Sequence, residues 1–184
     1  MYQIEVKAKL VEALFPPSEG WRVTVDIDPM ERAKGGTHPG GKREIAEGCL
    51  DRLRSAGVHV GAHPVWGRVD VVAEKSDEPI YFVEVEADAA KQREQAMYSA
   101  LGQLLLLMGQ PPEVARFCLA TPDTPQWRAQ LAKVPNRVVE LLGLEFFLVS
   151  TDGVTTFAKT NRKAVQRGAA GDAPNQVAPE RPSR

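Results

Sequence analysis

The chain has few of the features that mark secreted, membrane-spanning or thiolate-metal proteins. Its two cysteines, Cys49 and Cys118, have no histidine or further cysteine at the spacing of a zinc site. We therefore expect two free, buried thiols in a reducing compartment. The longest apolar run, Leu104 to Met108, is far too short to cross a bilayer. The N-terminus lacks a basic start followed by an apolar run, so we expect no secretory signal, no membrane partner and a cytoplasmic location.

The chain also lacks a strong excess of charge of either sign. Its 184 residues carry a net charge of −1, and 43% are hydrophobic, as in an ordinary globular domain. The charge is unevenly distributed, because the segment 159–184 holds six basic and two acidic residues. A basic tail beside an acidic body suits a weak, non-specific contact with a polyanion, or it is merely a solubilising terminus.

The alternation of apolar and polar residues predicts a mixed α/β fold, with a central sheet flanked by helices. We predict an N-terminal helix/strand extension with a glycine-rich loop at 1–41, a core domain at 42–158, and a disordered basic tail at 159–184. The predicted elements are helices at 3–15, 42–56, 89–108 and 125–142 (broken near Pro135), and strands at 20–27, 58–66, 69–74, 80–86, 116–120, 144–150 and 154–157.

Three carboxylates fall on two neighbouring predicted strands. Asp70 stands among valines, and Glu84 and Glu86 alternate with valines, so these two point to one face of their strand. The loop 75–79 predicts a hairpin that makes the two strands adjacent. Carboxylates gathered this way need a cation to offset repulsion and desolvation. Oxygen ligands suit Mg²⁺ or Mn²⁺ rather than zinc, which predicts metal-dependent phosphodiester cleavage.

The helix that follows the carboxylate strand carries further polar groups. Gln92, Ser99 and Gln103 lie along one edge of its apolar face, where we expect them to meet the end of that strand. A glutamine can hold a water or a phosphate oxygen without adding charge. Lys91, in the first predicted turn, is the nearest ammonium donor.

These residues and their order resemble the PD-(D/E)XK nuclease superfamily, with its restriction endonuclease-like core of helix, three strands, helix and strand (αβββαβ). Asp70 matches the family's aspartate at the start of the central strand, and Gln103 matches the glutamine on the following helix. Glu84-Val85-Glu86 matches the Glu-x-Lys motif in all but its last member. The resemblance implies metal binding by Asp70, Glu84, the Val85 carbonyl and an acidic residue of the first helix, for which Glu47 fits best and Glu44 is the alternative.

The departure from the family pattern is Glu86 in place of the lysine. Some restriction enzymes resemble this with Glu-x-Glu, in which the second glutamate is a base or a metal ligand, and Lys91 could reach in from the helix. The resemblance thus implies Asp70, Glu84, Glu86, Gln103 and Lys91 as catalytic residues. Loss of the lysine is equally how an inactive member of the fold would look.

Two main hypotheses follow. The first is a Mg²⁺-dependent endonuclease that hydrolyses DNA, as a homodimer if it cuts both strands of a duplex. The second is an inactive nuclease-fold module that binds DNA or a protein partner; an α/β enzyme acting on small phosphoesters is a third. For DNA contacts we predict Lys34, Lys42, Arg43 and Arg68, with His38 beside them, although a solvated loop also explains the first three. His59 and His63 are more typical of structural or solvent-facing roles.

Overall fold

A mixed sheet forms the centre of the protein in the computed structural model, which describes residues 1–32, 40–88, 92–109, 112 and 114–158. A single 3-10 turn, Pro17–Glu19, follows the first helix. The helices are α1 (Gln3–Leu14), α2 (Lys42–Ser55), α3 (Arg93–Leu107), α4 (Pro125–Lys133) and α5 (Asn136–Leu142). The strands are β1 (Arg22–Val25), β2 (His59–Val60), β3 (Val71–Glu74), β4 (Ile80–Val85), β5 (Ala115–Pro122), β6 (Leu144–Val149) and β7 (Val154–Thr156).

Within the described ranges, seven strands form the sheet in the order β2-β1-β3-β4-β5-β6-β7. The pairs β1–β3, β3–β4 and β6–β7 are antiparallel, whereas β1–β2, β4–β5 and β5–β6 are parallel. The parallel neighbours are joined by helical crossovers, α3 between β4 and β5 and α4–α5 between β5 and β6, as parallel pairing requires. The predicted hairpin at 75–79 is confirmed by the antiparallel pairing of β3 and β4.

Helices cover both faces of the sheet because the strands alternate their apolar side chains. In β4, Val83 and Val85 pack with α1 and α2 on one face, and Phe82 packs with α3 on the other. The fully buried Trp127 of α4 completes the second core. The predicted fold class, a mixed sheet flanked by helices, is therefore confirmed. The order α2, β2, β3, β4, α3, β5 is also the predicted helix, three strands, helix, strand.

The first 32 residues, predicted as an extension, supply the strand β1 to this sheet and the helix α1 to the core on one of its faces. β1 lies between β2 and β3, and α1 buries Ile4 and Leu10 in the core that it shares with α2. The division of the chain at residue 41 stays a prediction, as does the tail, since 159–184 lies outside the described residues. Both cysteines are described, and they are free and buried as predicted.

One predicted strand is largely wrong. The chain expected to be extended over 58–66 has strand structure at His59–Val60 and then turns, with a bridge between His63 and Gly67. The buried His63 holds this turn, because its Nδ1 accepts hydrogen bonds from the backbone N–H groups of Val65 and Trp66 at 3.2 and 3.1 Å. His63 therefore has a structural role. In the described part of the chain, no helix has the length and apolar character that a bilayer crossing demands.

Candidate active site

Asp70 and Glu84 lie side by side where β3 begins and β4 ends. The register pairs Val71 with Val83, so Asp70 and Glu84 occupy the next position along the two strands. Asp70 Oδ2 accepts a hydrogen bond from the Val85 N–H at 2.8 Å, and hydrogen bonding to Asp70 contributes to the raised pKa of Glu84. Glu84 is 6% exposed. The structure thus brings together the two carboxylates that strand pairing predicted.

The electrostatics around Asp70 favour the protonated forms of two glutamates, Glu84 and Glu86. Burial, followed by repulsion from Asp70, raises the pKa of Glu84 to about 9, and the Lys7 ammonium opposes the rise. The same two causes raise the pKa of Glu86 to about 7. Each glutamate would carry its full charge at neutral pH if more positive charge were present. The group is therefore short of cationic charge in the absence of a bound ion.

Lys7 of α1 is the ammonium that faces these carboxylates, although it was not among the predicted site residues. Its side chain is fully buried, and its Nζ lies 2.7 Å from Asp70 Oδ1 and 2.7 Å from Glu31 Oε1. The third Nζ–H donates to the Asp26 carbonyl at 2.6 Å, which accounts for all three donors of an ammonium. Burial lowers the Lys7 pKa, but the two carboxylates together raise it above its ordinary value.

A signal for Lys7 exists in the sequence. It lies on the stripe defined by Ile4, Ala8 and Val11 at the i, i+4, i+7 spacing of a buried helix face. A lysine inside such a stripe requires a buried anionic partner. Nothing in the sequence indicates which of the many carboxylates fills that role.

Glu31 and Gln3 complete the surroundings of Asp70. Burial raises the pKa of Glu31 while Lys7 lowers it, and Glu31 Oε2 is buried without a hydrogen-bond partner among the described residues. Gln3 Nε2 donates to the Val85 carbonyl at 2.6 Å and to Asp70 Oδ2 at 3.2 Å. The carbonyl predicted as a metal ligand is thus bonded to a glutamine from α1.

Two predicted site residues lie elsewhere. Glu47 is exposed on α2 and forms an ion pair with Arg43, in which Arg43 Nε lies 3.1 Å from Glu47 Oε1. Gln103 is exposed on α3, ten residues after the first residue of that helix. At 1.5 Å per residue it lies about 15 Å along the axis from the end that follows β4. Among the described contacts, none joins either residue to Asp70 or Glu84.

The predicted DNA contacts are partly described. Lys42 donates to the Met30 carbonyl at 2.7 Å and sits over the Tyr2 ring. Arg68 Nε lies 2.9 Å from Asp26 Oδ2, and the side chain is 67% exposed. Lys34, Lys91 and His38 lie outside the described residues. Lys42, Arg43 and Arg68 are therefore surface cations, each with a partner of its own.

The donor set can be compared with what a divalent ion needs. In the described part of the chain, no three Asp, Glu, His or Cys side chains stand together as a metal-holding group. Asp70, Glu84 and the Val85 carbonyl offer two carboxylates and one neutral oxygen. Mg²⁺ is commonly held by one or two carboxylates and keeps several waters. The set and its shortage of positive charge thus fit a hydrated Mg²⁺ or Mn²⁺ better than an ion enclosed by protein ligands.

Comparisons with known proteins give one structural similarity. No protein-family model matches the chain, and no curated protein matches it. A crystal structure of an XisH family protein from Nostoc punctiforme is similar over 86% of this chain and 100% of that chain, with 17% sequence identity and a TM-score of 0.44. A similarity at this level carries no information about function.

Proposed function

We propose that this protein is a metal-dependent nuclease that hydrolyses DNA phosphodiester bonds. The observation that supports the proposal best is the pairing of half-buried Asp70 with buried Glu84, whose pKa is raised to about 9. A fold rarely retains neighbouring carboxylates that are withdrawn from water at a sheet end unless a cation or a proton-transfer role requires them. Glu86, on the same face of the strand, adds a third acid to the group.

Each acid in this group has a role in the proposed reaction. Asp70, Glu84 and the Val85 carbonyl would hold Mg²⁺ or Mn²⁺, and the ion, when bound, would make water a better nucleophile and offset charge on the phosphate. Glu86, with a pKa of about 7, is poised to accept a proton from water near neutral pH. Lys7 would keep Asp70 in place rather than contact the phosphate, because all three of its N–H groups are occupied.

The surface near Asp70 supports a polyanionic substrate. Arg68 precedes Asp70 by two residues, and its guanidinium is mostly exposed although it pairs with Asp26. Such an arginine can exchange its carboxylate partner for a phosphate oxygen, and phosphate contacts are its common role in nucleic-acid binding. Lys42 and Arg43, at the start of α2, would add phosphate contacts.

A second candidate function is an inactive module of the same fold that binds DNA or a protein. One observation favours it: both Asp70 oxygens already have partners within the chain, namely Lys7, the Val85 N–H and Gln3. An aspartate satisfied in this way can act as a purely structural residue. This candidate predicts DNA binding that survives Asp70→Asn and no uptake of Mg²⁺ detectable by calorimetry.

A cleavage assay separates the two candidates. Full-length protein would be incubated with single-stranded, double-stranded and branched DNA in Mg²⁺, Mn²⁺ or EDTA. We expect cleavage with a divalent ion and a loss of at least about a hundredfold in Asp70→Asn and Glu84→Gln, since even groups behind metal ligands contribute about 10- to 100-fold. Glu78→Gln, an exposed glutamate of the intervening hairpin, is the matched control. Absence of cleavage with every substrate and both ions would overturn the proposal.

A further inference from the structure

A cleft lined mainly by polar residues opens between the first turns of α3 and the helix α4. Its volume is about 730 Å³, within the range of small-molecule sites. The side chains that line it include four glutamines, an arginine, a glutamate and a tyrosine: Gln92, Gln95, Gln126, Gln130, Arg93, Glu94 and Tyr98. None of them has a role in the proposed reaction.

The chemistry of this lining suits a flat, uncharged ligand with polar edges. Each glutamine amide offers both donors and an acceptor without net charge. Tyr98 is 54% exposed, and its hydroxyl donates to Glu94 at 2.7 Å, which leaves the ring as a surface for stacking. Phosphate would need free positive charge, but Arg93 already pairs with Asp88. A nucleobase has both the polar edge and the aromatic face that these groups recognise.

Within the described part of the chain, two buried polar atoms of the cleft residues have no hydrogen-bond partner. Gln130 Oε1 lacks a donor, and Arg93 Nε–H lacks an acceptor, among the described residues. Native proteins rarely leave such atoms unpaired. A nucleobase edge carries a donor next to an acceptor, so a small rotation of the two side chains toward a bound base would satisfy both.

The walls of the cleft are tied to the chain directly after the carboxylates. The Trp127 indole N–H donates to the Ala87 carbonyl at 3.2 Å, and Arg93 Nη2 donates to the Asp88 carbonyl at 2.9 Å. Asp88 follows Glu86 by two residues, which is at most about 7 Å of extended chain. A strand with a phosphate at the carboxylates can therefore place a nearby base in the cleft.

We propose that this cleft binds an unpaired nucleobase of the DNA strand whose phosphate lies at Asp70 and Glu84. The inference rests on the proposed function insofar as DNA is the partner. It adds that the substrate presents an unpaired base beside the scissile bond, as in a single-stranded or locally melted site.

Fluorescence anisotropy in EDTA tests this without requiring hydrolysis. The probes are a labelled single-stranded oligonucleotide and an abasic oligonucleotide of the same length and charge. We expect the wild-type protein to bind the base-containing strand about tenfold more tightly, which is a typical effect of stacking one base. Tyr98→Ala and Gln130→Ala should remove most of that difference, Tyr98→Phe should retain it, and Ser99→Ala on the exposed face of α3 is the control.

The outcomes distinguish failure of the inference from failure of the proposed function. Equal affinity for the two probes, or a preference that survives both Tyr98→Ala and Gln130→Ala, would overturn the base site even if the protein cleaves DNA. A base preference that depends on Tyr98 and Gln130 supports the site, even if no metal ion induces cleavage. Circular dichroism shows whether each variant is folded. If Gln130→Ala is not folded, Gln130→Glu replaces it, because glutamate keeps the shape of the side chain but alters its pattern of donors.

Discussion

The Lys7 ammonium and the Asp70 carboxylate form a 2.7 Å ion pair that joins α1 to the start of β3. The pair is buried on the lysine side and 18% exposed on the aspartate side. Through Lys7, the N-terminal helix fixes the residue proposed as the first metal ligand. A buried ion pair adds little net stability, but loss of one member leaves the other charge without compensation.

Replacement of Lys7 by methionine should therefore destabilise the protein strongly. Met fills a similar volume but leaves Glu31 and Asp70 without their cation, so we expect a loss of about 3–5 kcal/mol in the free energy of unfolding. Urea denaturation at pH 7 measures it. Lys9→Met, on the same helix and with one weak contact to the Thr151 carbonyl at 3.4 Å, should change it by less than about 0.5 kcal/mol.

The double variant Lys7→Met/Glu31→Gln tests whether charge is the cause. Removing the Glu31 charge should recover part of the loss, because one of the two stranded carboxylates becomes neutral. If the double variant is less stable than Lys7→Met alone, Lys7 contributes through packing rather than through charge.

The raised pKa values of Glu84 and Glu86 predict that the metal-free protein loses stability as pH rises. Both groups titrate near 4.5 when unfolded but near 9 and 7 when folded, so the folded state binds more protons in between. Stability must then fall with increasing pH across this window, and these groups have no effect below about pH 4.5. We expect a loss of at least about 1–2 kcal/mol between pH 6 and pH 9, or several degrees in Tm.

Thermal unfolding in EDTA across this pH range checks the slope. In Glu84→Gln the slope should flatten, because an amide mimics the protonated acid at every pH. Glu78→Gln, which alters an exposed glutamate, should keep the wild-type slope. A stability that rises steadily from pH 6 to pH 9 would contradict the assignment.

The part of the site that the sequence predicted is the part governed by local rules. Alternation of Glu84 with Val83 and Val85 sets the face of the strand, and the short hairpin after β3 sets the antiparallel neighbour. Together these two facts are enough to place Asp70 beside Glu84. The same reasoning gave the mixed sheet, since helical and strand periods are visible over most of 3–157.

The remaining part depends on contacts between distant segments. Gln3 and Lys7 reach Asp70 because α1 packs on one face of the sheet, and Glu31, which follows β1, reaches Lys7. No local pattern specifies that packing or the position of β1 between β2 and β3. The prediction for Gln103 depends in the same way on where its helix lies. The helical period shows which edge of α3 carries Gln103. The helix runs away from the end of β4, however, so residues near the start of α3 lie closer to the carboxylates. For β2, the alternation could not reveal that His63 would stabilise a turn.

The glutamine that matters for the carboxylate group should be Gln3 rather than Gln103. Gln3 bonds both the Val85 carbonyl and Asp70, whereas Gln103 is exposed on α3. We expect Gln3→Ala to lower the cleavage rate about tenfold or more, as the loss of an outer-shell partner does, and Gln103→Ala to change it less than twofold. Measured rates in the reverse order would restore Gln103 as a site residue, as the sequence resemblance implied.

Binding of Mg²⁺ should release a proton at neutral pH. Glu84 is protonated there because its pKa is about 9, and a metal ligand must be deprotonated. Calorimetric titration with Mg²⁺ at pH 7.0, in two buffers of different ionisation enthalpy, measures the number of protons released. We expect Glu84 to release about one proton in the wild-type protein. Glu86 should release a further fraction of a proton, since its pKa is about 7.

Glu84→Gln separates the two sources of protons. This variant has no acid to lose at position 84, so any Mg²⁺ that still binds should release less than half a proton, all of it from Glu86. Glu78→Gln should match the wild-type protein in both affinity and proton count. Mg²⁺ binding to the wild-type protein without proton release would mean that the ion avoids Glu84, and the metal-ligand assignment for this strand would then be wrong.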